Sequence, residues 1–527
     1  MRQIQQFLKP YFLCFFWLGL SAVSGAFPSV TKVQDTTVST QALTLGSGAP
    51  YGNSINGVSF QQEVLWTFNG RQYVAYYNSA RHVCVGRRQL PAGAWQVIEF
   101  TDYRFSYNPS NDNDAHNVVT MGICLNNGTI HLSFDHHGQP LHYRVSVTGV
   151  ATDPNSVTWS TALFGSTLST LSGLSDTSLS QVTYPRFWST PNGDLQFGYR
   201  YVASGNGDWY MADYSAATGT WSNIRQVINR TGTYSDRAIS SSSSRCPYLN
   251  NVAYGPDGKL HLTWTWRETA TGNANHDIMY AYSEDGGYTW YNNNILDPLR
   301  IGTLNSPLQG ILRFSWQNDA APQIIGRFSP QQLITRSSSG VNAVTLDSYY
   351  GIMNQQAEAI DPQGRVHIVM FHCSDESYLL YPRDSVNIWQ KVGARRYFHY
   401  WRDSHGVWRR NELPFVSGNV NSYVGSRPKL FIRSNGDAYV IYQSWQSVSL
   451  ASTNIYITSG DLTIQAATAA NQWTDWQIVH TETGPFLNEM LGDRYRFEDG
   501  VLSVMVQNTP STIGGSSALR VLDFQLQ

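Results

Sequence analysis

The 527-residue chain is poor in charge and in cysteine. Only 14% of its residues are Asp, Glu, Lys or Arg, and a net charge of -2 with a pI near 6.7 leaves no electrostatic footprint for nucleic acid or an anionic membrane. Any anion it binds must meet a local cluster of Arg or His. Five cysteines are too few for a disulfide framework. Cys14 lies in the first 26 residues; Cys84, Cys124, Cys246 and Cys373 read as buried thiols or one or two bridges, and no C-x-x-C or H-x-x-x-H spacing marks a zinc site. Sustained helical periodicity is missing, which excludes a coiled coil. Beyond the N-terminus, so is any apolar run of the roughly 20 residues that cross a bilayer.

What is abundant is aromatic and turn-forming: 13% Phe, Trp and Tyr, with 43 Gly. The first 26 residues read as a secretory signal peptide. Arg2 and Lys9 carry the positive charge, Tyr11 to Val23 is apolar, and Ser24-Gly25-Ala26 offers small residues for cleavage, so the mature chain is expected to start at Phe27 and to be extracellular. Two glycosylation sequons, at Asn127 and Asn229, are consistent with secretion.

A chain of this length holds several domains or one repetitive architecture. One unit recurs seven times: a Gly-containing turn, a short alternating strand, a loop, and a second strand with Tyr or Trp. The copies open at Asn69-Gly70, Asn127-Gly128, Asn192-Gly193, Asp257-Gly258, Gln363-Gly364, Asn435-Gly436 and Asp499-Gly500. Asn-Gly and Asp-Gly between period-two runs predict hairpins with type I′ turns. The glycines are 58, 65, 65, 106, 72 and 64 residues apart. The expected fold is therefore all-β, a single seven-bladed β-propeller over residues 27–527. The long spacing implies an insertion of roughly 40 residues within Tyr291 to Tyr350. Ser283-Glu284-Asp285-Gly286-Gly287-Tyr288-Thr289-Trp290 matches the Asp-box pattern S-x-D-x-G-x-T-W, in which the Asp caps a tight turn and the Trp packs beneath it; the box is structural and carries no chemistry.

In a propeller, first-strand starts and second-strand ends converge on one face. The starts are His116-Asn117-Val118, Tyr184-Pro185-Arg186, Arg245-Cys246-Pro247-Tyr248, Asn354-Gln355-Gln356 and Arg427-Pro428. The ends are Asp135-His136-His137, Tyr199-Arg200-Tyr201, Trp266-Arg267-Glu268, Phe371-His372 and Gln443-Ser444-Trp445. Each residue alone reads as a polar group satisfying loop backbone. Together they place His, Tyr and Arg at equivalent points of neighbouring blades with few carboxylates, which suits an acidic ligand.

The stretch from His116 through Asp135-His136-His137 to His142-Tyr143-Arg144 resembles the BNR-repeat polysaccharide lyases of propeller fold, which include ulvan lyases. The resemblance is sharp from about Asp114 to Glu268. It implies cleavage of uronic-acid glycans by two His, a Tyr and an Arg, matched here by His116, His136, Tyr184 and Arg200. Within that group the overall likeness is to L-rhamnose-α-1,4-D-glucuronate lyases, which remove rhamnose capping glucuronate on arabinogalactan proteins. Elimination needs a cation at the carboxylate, a base for the C5 proton and an acid for the leaving oxygen. Arg200 suits the first task, His136 or His116 the second with the other His at the carboxylate, and Tyr184 the third. Asn117, His137, Arg267, Arg245, Gln356 and His372 are expected substrate contacts. No cofactor is required; the resemblance allows calcium in the neutralising role or in the central channel, and no ligand cluster in the sequence locates a metal. The expected partner is an acidic polysaccharide, without nucleic acid or membrane, and the protein is expected to be a monomer. Two other classes stay open, a sialidase-like hydrolase and a non-catalytic glycan-binding propeller.

Overall fold

The computed structural model describes residues 26–46, 49, 52–59, 61–105, 114–236, 238–292, 299–300, 322–373, 395–414, 426–451 and 455–527. The signal segment and most of the expected insertion lie outside them. The described chain is all-β, with one short α-helix, Arg494–Glu498, among the described residues.

Successive antiparallel sheets follow the repeats. Sheet I is the meander Leu65–Phe68, Arg71–Tyr77, His82–Gln89 and Gln96–Arg104. Sheet II comprises Val119–Ile123, Ile130–Phe134 and Tyr143–Val145. Sheet III runs through Val182–Ser189, Leu195–Ala203, Asn206–Ser215 and Thr220–Ile228, with His137–Gln139 on its inner edge. Sheet IV is built on Cys246–Tyr254, Leu260–Arg267 and Asn275–Ser283, with Thr289–Tyr291 and Ile324–Arg327 outside them. Sheet V is Ala357–Ile360, Val366–Cys373, Arg395–Arg402 and Trp408–Glu412. Sheet VI has seven strands, from Lys429–Ile432 through Ala438–Ala451, Ile455–Ala467, Gln477–Gly492, Val501–Asn508 and Ser517–Leu526 to the N-terminal Val30–Ala42. Its strand Gln477–Gly492 pairs with Ile455–Ala467 along most of its length and with Val501–Asn508 through its C-terminal half.

The turns obey the glycine signal but mostly not the predicted turn type. Only Asn69-Gly70 has both residues at positive φ, 49° and 69°. At Gly193, Gly258, Gly364 and Gly436 the glycine alone is left-handed. There the hairpin closes over three residues, as in Gly193 N–H to Thr190 O and Thr190 N–H to Asp194 O. That pattern is a type I turn followed by a left-handed glycine, which reverses the chain without splaying the strands. The Asp box behaves as its pattern requires: Asp285 Oδ1 accepts from the N–H groups of Tyr288 and Thr289, at 3.1 and 2.7 Å, and buried Trp290 donates to Gly287 O. All four described cysteines are buried and unbridged.

First strands face inward. A cavity of about 290 Å³ is lined by Gln61 to Val64, Trp188 and Ser189, Asn250 and Asn251, Gln356 to Ile360, Lys429 to Ile432 and residues near Arg494, so five sheets or their flanks meet around it. Its lining does not include His116, Tyr184 or Arg200. Burial pushes the Glu358 carboxyl there up to about 8 and the Lys429 ammonium down to about 7.

The chain ends are tied together. Val30–Ala42 pairs antiparallel with Ser517–Leu526, and Arg88 of sheet I grips Asp523 of sheet VI through 2.9 and 2.7 Å bonds, both side chains almost fully buried. Removing one partner of a buried pair leaves an uncompensated charge, at a cost of about 3–5 kcal/mol. Asp523→Ala is therefore expected to lower unfolding stability by about that amount; a urea midpoint equal to that of the parent protein would show that the pair does not hold the closure.

Candidate active site

Three neighbouring sheets supply the site. The chain leaves sheet II after Phe134, and His137–Gln139 crosses to pair with Val182 and Thr183 of sheet III. Gly138 N–H donates to Thr183 Oγ1 at 2.7 Å, pinning His137 beside the next sheet's first strand. In that strand the register slips between Thr183 and Arg186, and Tyr184 sits in the slip with φ 54°. A left-handed bulky residue before a proline costs of order 1–3 kcal/mol, and bulges of this kind re-aim a side chain. The Tyr184 ring thereby meets the His116 ring at 5.8 Å and the Arg200 guanidinium at 4.7 Å.

His116 and His137 stack in parallel, ring centroids 4.1 Å apart, on one buried carboxylate. His116 Nδ1 lies 2.5 Å from Asp114 Oδ1, and His137 Nδ1 lies 2.5 Å from Asp114 Oδ2. These three residues offer ligand atoms within 4.8 Å of one another, as a metal centre would. Each nitrogen, however, addresses a different oxygen at hydrogen-bond distance, closer than two ligands of a single ion with bonds of about 2.1 Å stand from each other. Because a carboxylate only accepts, both Nδ1 atoms carry hydrogen, and in a neutral ring Nε2 holds the lone pair. Burial, and then the neighbouring His137, lower the His116 pKa to about 3 against the support of Asp114. Burial raises Asp114, but the bonds from His116 and His137 outweigh it and hold the acid well below the ordinary range.

Arg200 and Arg267 meet at Tyr248. Arg200 Nη1 and Arg267 Nη1 both donate to the Tyr248 hydroxyl, at 3.0 and 2.9 Å, and the two guanidiniums lie 5.4 and 4.0 Å from its ring centre. Arg267 is locked further by Asn275, Ser204 and Asn354. Both arginines are buried, at 2% and 9% exposure, and neither pairs with a carboxylate among the described residues. Burial also lifts the Tyr184 phenol well above its ordinary pKa, with Tyr248 adding to it.

The remaining expected residues are placed differently. His136 points to His142: its Nε2 accepts the His142 N–H at 2.7 Å and the two rings stack at 5.4 Å. The lone pair is thus used, the proton sits on Nδ1, and that buried atom has no partner. Asn117 donates to Asp135, which also accepts from Tyr103, so it buttresses the loop. Arg245 makes a bidentate, fully buried pair with Glu268, at 2.7 and 3.0 Å. Gln356 is engaged by backbone of Met353 and Phe371. His372 is buried against Phe398 and bonded to Cys373 O and Tyr400. The structure does not join Arg245, Gln356 or His372 to the cluster by any of these bonds. Asp114 and Tyr248 are what reasoning from the sequence missed as site residues. The signal for Asp114 was its place two residues before His116, where a carboxylate can accept from the His116 backbone N–H, here at 2.9 Å.

The His116 shift has a defined consequence for stability. Between the unfolded value of about 6.5 and the folded value of about 3, the unfolded chain binds a proton that the folded chain refuses, so stability falls as pH falls through that window. Asp114 adds a further loss below about 3.8, as its depressed carboxylate is protonated. His116→Gln is expected to flatten the decline between pH 6.5 and 4; equal slopes in the two proteins, from denaturant melts at stepped pH, would place the His116 titration elsewhere.

Residues 71–415, more than half of the chain, match the BNR repeat-containing family. Over 283 residues the chain is 23% identical to an ulvan lyase, long isoform, of Pseudoalteromonas sp. (strain PLSV), a stretch covering 47% of this chain and 28% of that protein. Against an ulvan lyase, short isoform, of Alteromonas sp. (strain LOR), it is 22% identical over 40% of this chain and 46% of the other. The chain thus matches less than half the length of either relative. The crystal structure of polysaccharide lyase Uly1 superposes with a TM-score of 0.65 at 16% identity, covering 94% of this chain and 99% of that one. A PL25 ulvan lyase bound to -[GlcA(1-4)Rha3S]- gives 0.58 at 12% identity, covering 92% and 94%. These likenesses establish a shared all-β fold, and with the match over residues 71–415 the chain belongs to the BNR repeat-containing family.

Proposed function

We propose that this protein is a secreted polysaccharide lyase, a seven-bladed β-propeller that cleaves the bond to O4 of a glucuronic acid residue by β-elimination. The observation that carries the reading is the pair of buried guanidiniums, Arg200 and Arg267, with no carboxylate partner among the described residues, and the buried Tyr184 phenol that Arg200 shares with the carboxylate-held His116. A buried cation without a counter-charge costs several kcal/mol, and an acidic ligand supplies what is missing. Family membership and the polysaccharide lyases of the same fold support it. Seven repeats, the inward first strands and the strand that pairs the two chain ends support the propeller.

In this reading Arg200 grips the uronate carboxylate and withdraws charge from C5. His116 is the base, because its Nε2 keeps a lone pair while Asp114 stabilises the imidazolium that forms. His136 has no lone pair to offer and serves as a donor through Nδ1–H. The C5 proton passes to His116 Nε2, and the C5–H electron pair becomes the C4=C5 bond. The C4–O4 pair leaves on the oxygen, which takes the Tyr184 proton. Burial keeps that phenol protonated until the leaving oxygen needs it. The proton on His116 then restores Tyr184, so the cycle has no net proton change. The finer substrate assignment is rhamnosyl-glucuronate ends of arabinogalactan, releasing rhamnose.

Incubation with gum arabic and with ulvan, followed by ultraviolet absorbance and product analysis, tests the reaction. The expected product carries an unsaturated uronic acid; sugar release without new absorbance would instead make the protein a hydrolase. His116→Ala is expected to cost about a hundredfold to ten-thousandfold in turnover. Arg200→Lys should also be severe, since lysine keeps the charge but loses the planar fork. Tyr184→Phe should lower kcat more than it raises KM.

A further inference from the structure

We propose that Asp114 is a positioning residue that fixes the tautomers of His116 and His137 together, so that both rings present a basic Nε2 from one stacked pair. The proposal rests on the elimination reading for its kinetic consequence and on geometry alone for the tautomers.

Asp114 is 1% exposed, and its carboxylate receives three bonds: His116 N–H at 2.9 Å, His116 Nδ1 at 2.5 Å and His137 Nδ1 at 2.5 Å. Among the described residues no arginine or lysine is bonded to it. A buried carboxylate is stabilised only where its lone pairs are filled, and here imidazole and backbone N–H groups fill them. The two rings come from different sheets' edges. His116 precedes the first strand of sheet II, and His137 is pinned against sheet III through Gly138 and Thr183. One carboxylate is therefore the common reference for two side chains that the backbone alone does not align. Their planes lie within 15°, so the two Nδ1–H groups leave the carboxylate side by side. His116 is 7% exposed and the His137 side chain 24%, which makes the pair a buried ring beside one that reaches solvent.

The carboxylate is what prevents either ring from placing its proton on Nε2. Asp114→Asn keeps size and shape but presents an amide. Its NH₂ donates toward one Nδ1, which must then accept, and that ring's proton moves to Nε2, where no base function remains.

Two measurements decide the matter. In the parent protein with isotope-labelled histidine, long-range nitrogen–proton correlation spectra are expected to show both His116 and His137 as Nδ1–H tautomers at neutral pH, each assigned by its loss in a single variant; an Nε2–H tautomer at His116 overturns the proposal. In Asp114→Asn, kcat on the cleaved glycan is expected to fall by about a hundredfold or more with KM nearly unchanged, with partial recovery in Asp114→Glu. A raised KM at unchanged kcat, or parental turnover, overturns it. The spectra require neither substrate nor an amide variant that folds. Absence of any unsaturated product from the parent protein would therefore refute the elimination reading while the tautomers still judge Asp114.

Discussion

Two positive charges held against one phenol set the terms for everything around them. Arg200 and Arg267 are taken out of water, and the rings of Tyr184 and Tyr248 return about 0.5–2 kcal/mol each by cation–π attraction. That is less than the several kcal/mol an unpaired buried ion costs. On the proposed function, an anion would supply the balancing charge on binding. Such a deficit persists only on a stiff scaffold, because mobile side chains would turn to water or to the nearest carboxylate. The strand positions of Arg200 and Arg267 provide the stiffness. Beneath Arg200 lies Gly207, where a Cβ would come within 2.9 Å of two backbone oxygens and 3.2 Å of Arg200 Cδ. The guanidinium occupies its place because that position has no side chain.

The sheets divide the chemistry among themselves. Sheet II and the crossing strand bring the imidazoles, sheet III brings Tyr184 and Arg200, and sheet IV brings Tyr248 and Arg267. No single sheet contains His116, Tyr184, Arg200 and Arg267 together. The geometry of the candidate site is thus a property of how neighbouring sheets pack. The strained Tyr184 backbone belongs to the same logic, since a regular strand would turn its ring away from the neighbouring sheet.

Much of this was legible beforehand because β-structure announces itself locally. Gly-centred turns and period-two runs located the first and second strands of the sheets, and their ends located His116, Tyr184, Arg200 and Arg267. Side-chain facing was less legible. Residues one position apart point to opposite faces, so His137 rather than His136 reaches the carboxylate, and Arg245 finds Glu268 while Tyr248 meets the arginines. Turn type was hidden as well, because Asn-Gly serves both a two-residue turn and a three-residue one. Asp114 stood in a run of Asn and Asp, and its place two residues before His116 marked a local turn contact rather than a carboxylate shared by two histidines. Its role follows from a second histidine arriving along a strand crossing between sheets, which is a tertiary fact.

The remaining puzzle is that burial makes His116 a weak base in the free protein. Burial is the largest cause, the adjacent His137 comes next, and the charge of Arg200 contributes in the same direction. In the proposed elimination a carboxylate seated on Arg200 would cancel that last field, so the ligand that needs a base would also strengthen it. Asp114 works in the same sense throughout, because it favours imidazolium over imidazole. His116 is thus held neutral beside two buried guanidiniums, and in the proposed reaction the charge of a uronate would bring the two into balance. In that proposal an uncharged sugar would leave His116 as it was, so that a single carboxylate would both select the substrate and prepare its own elimination.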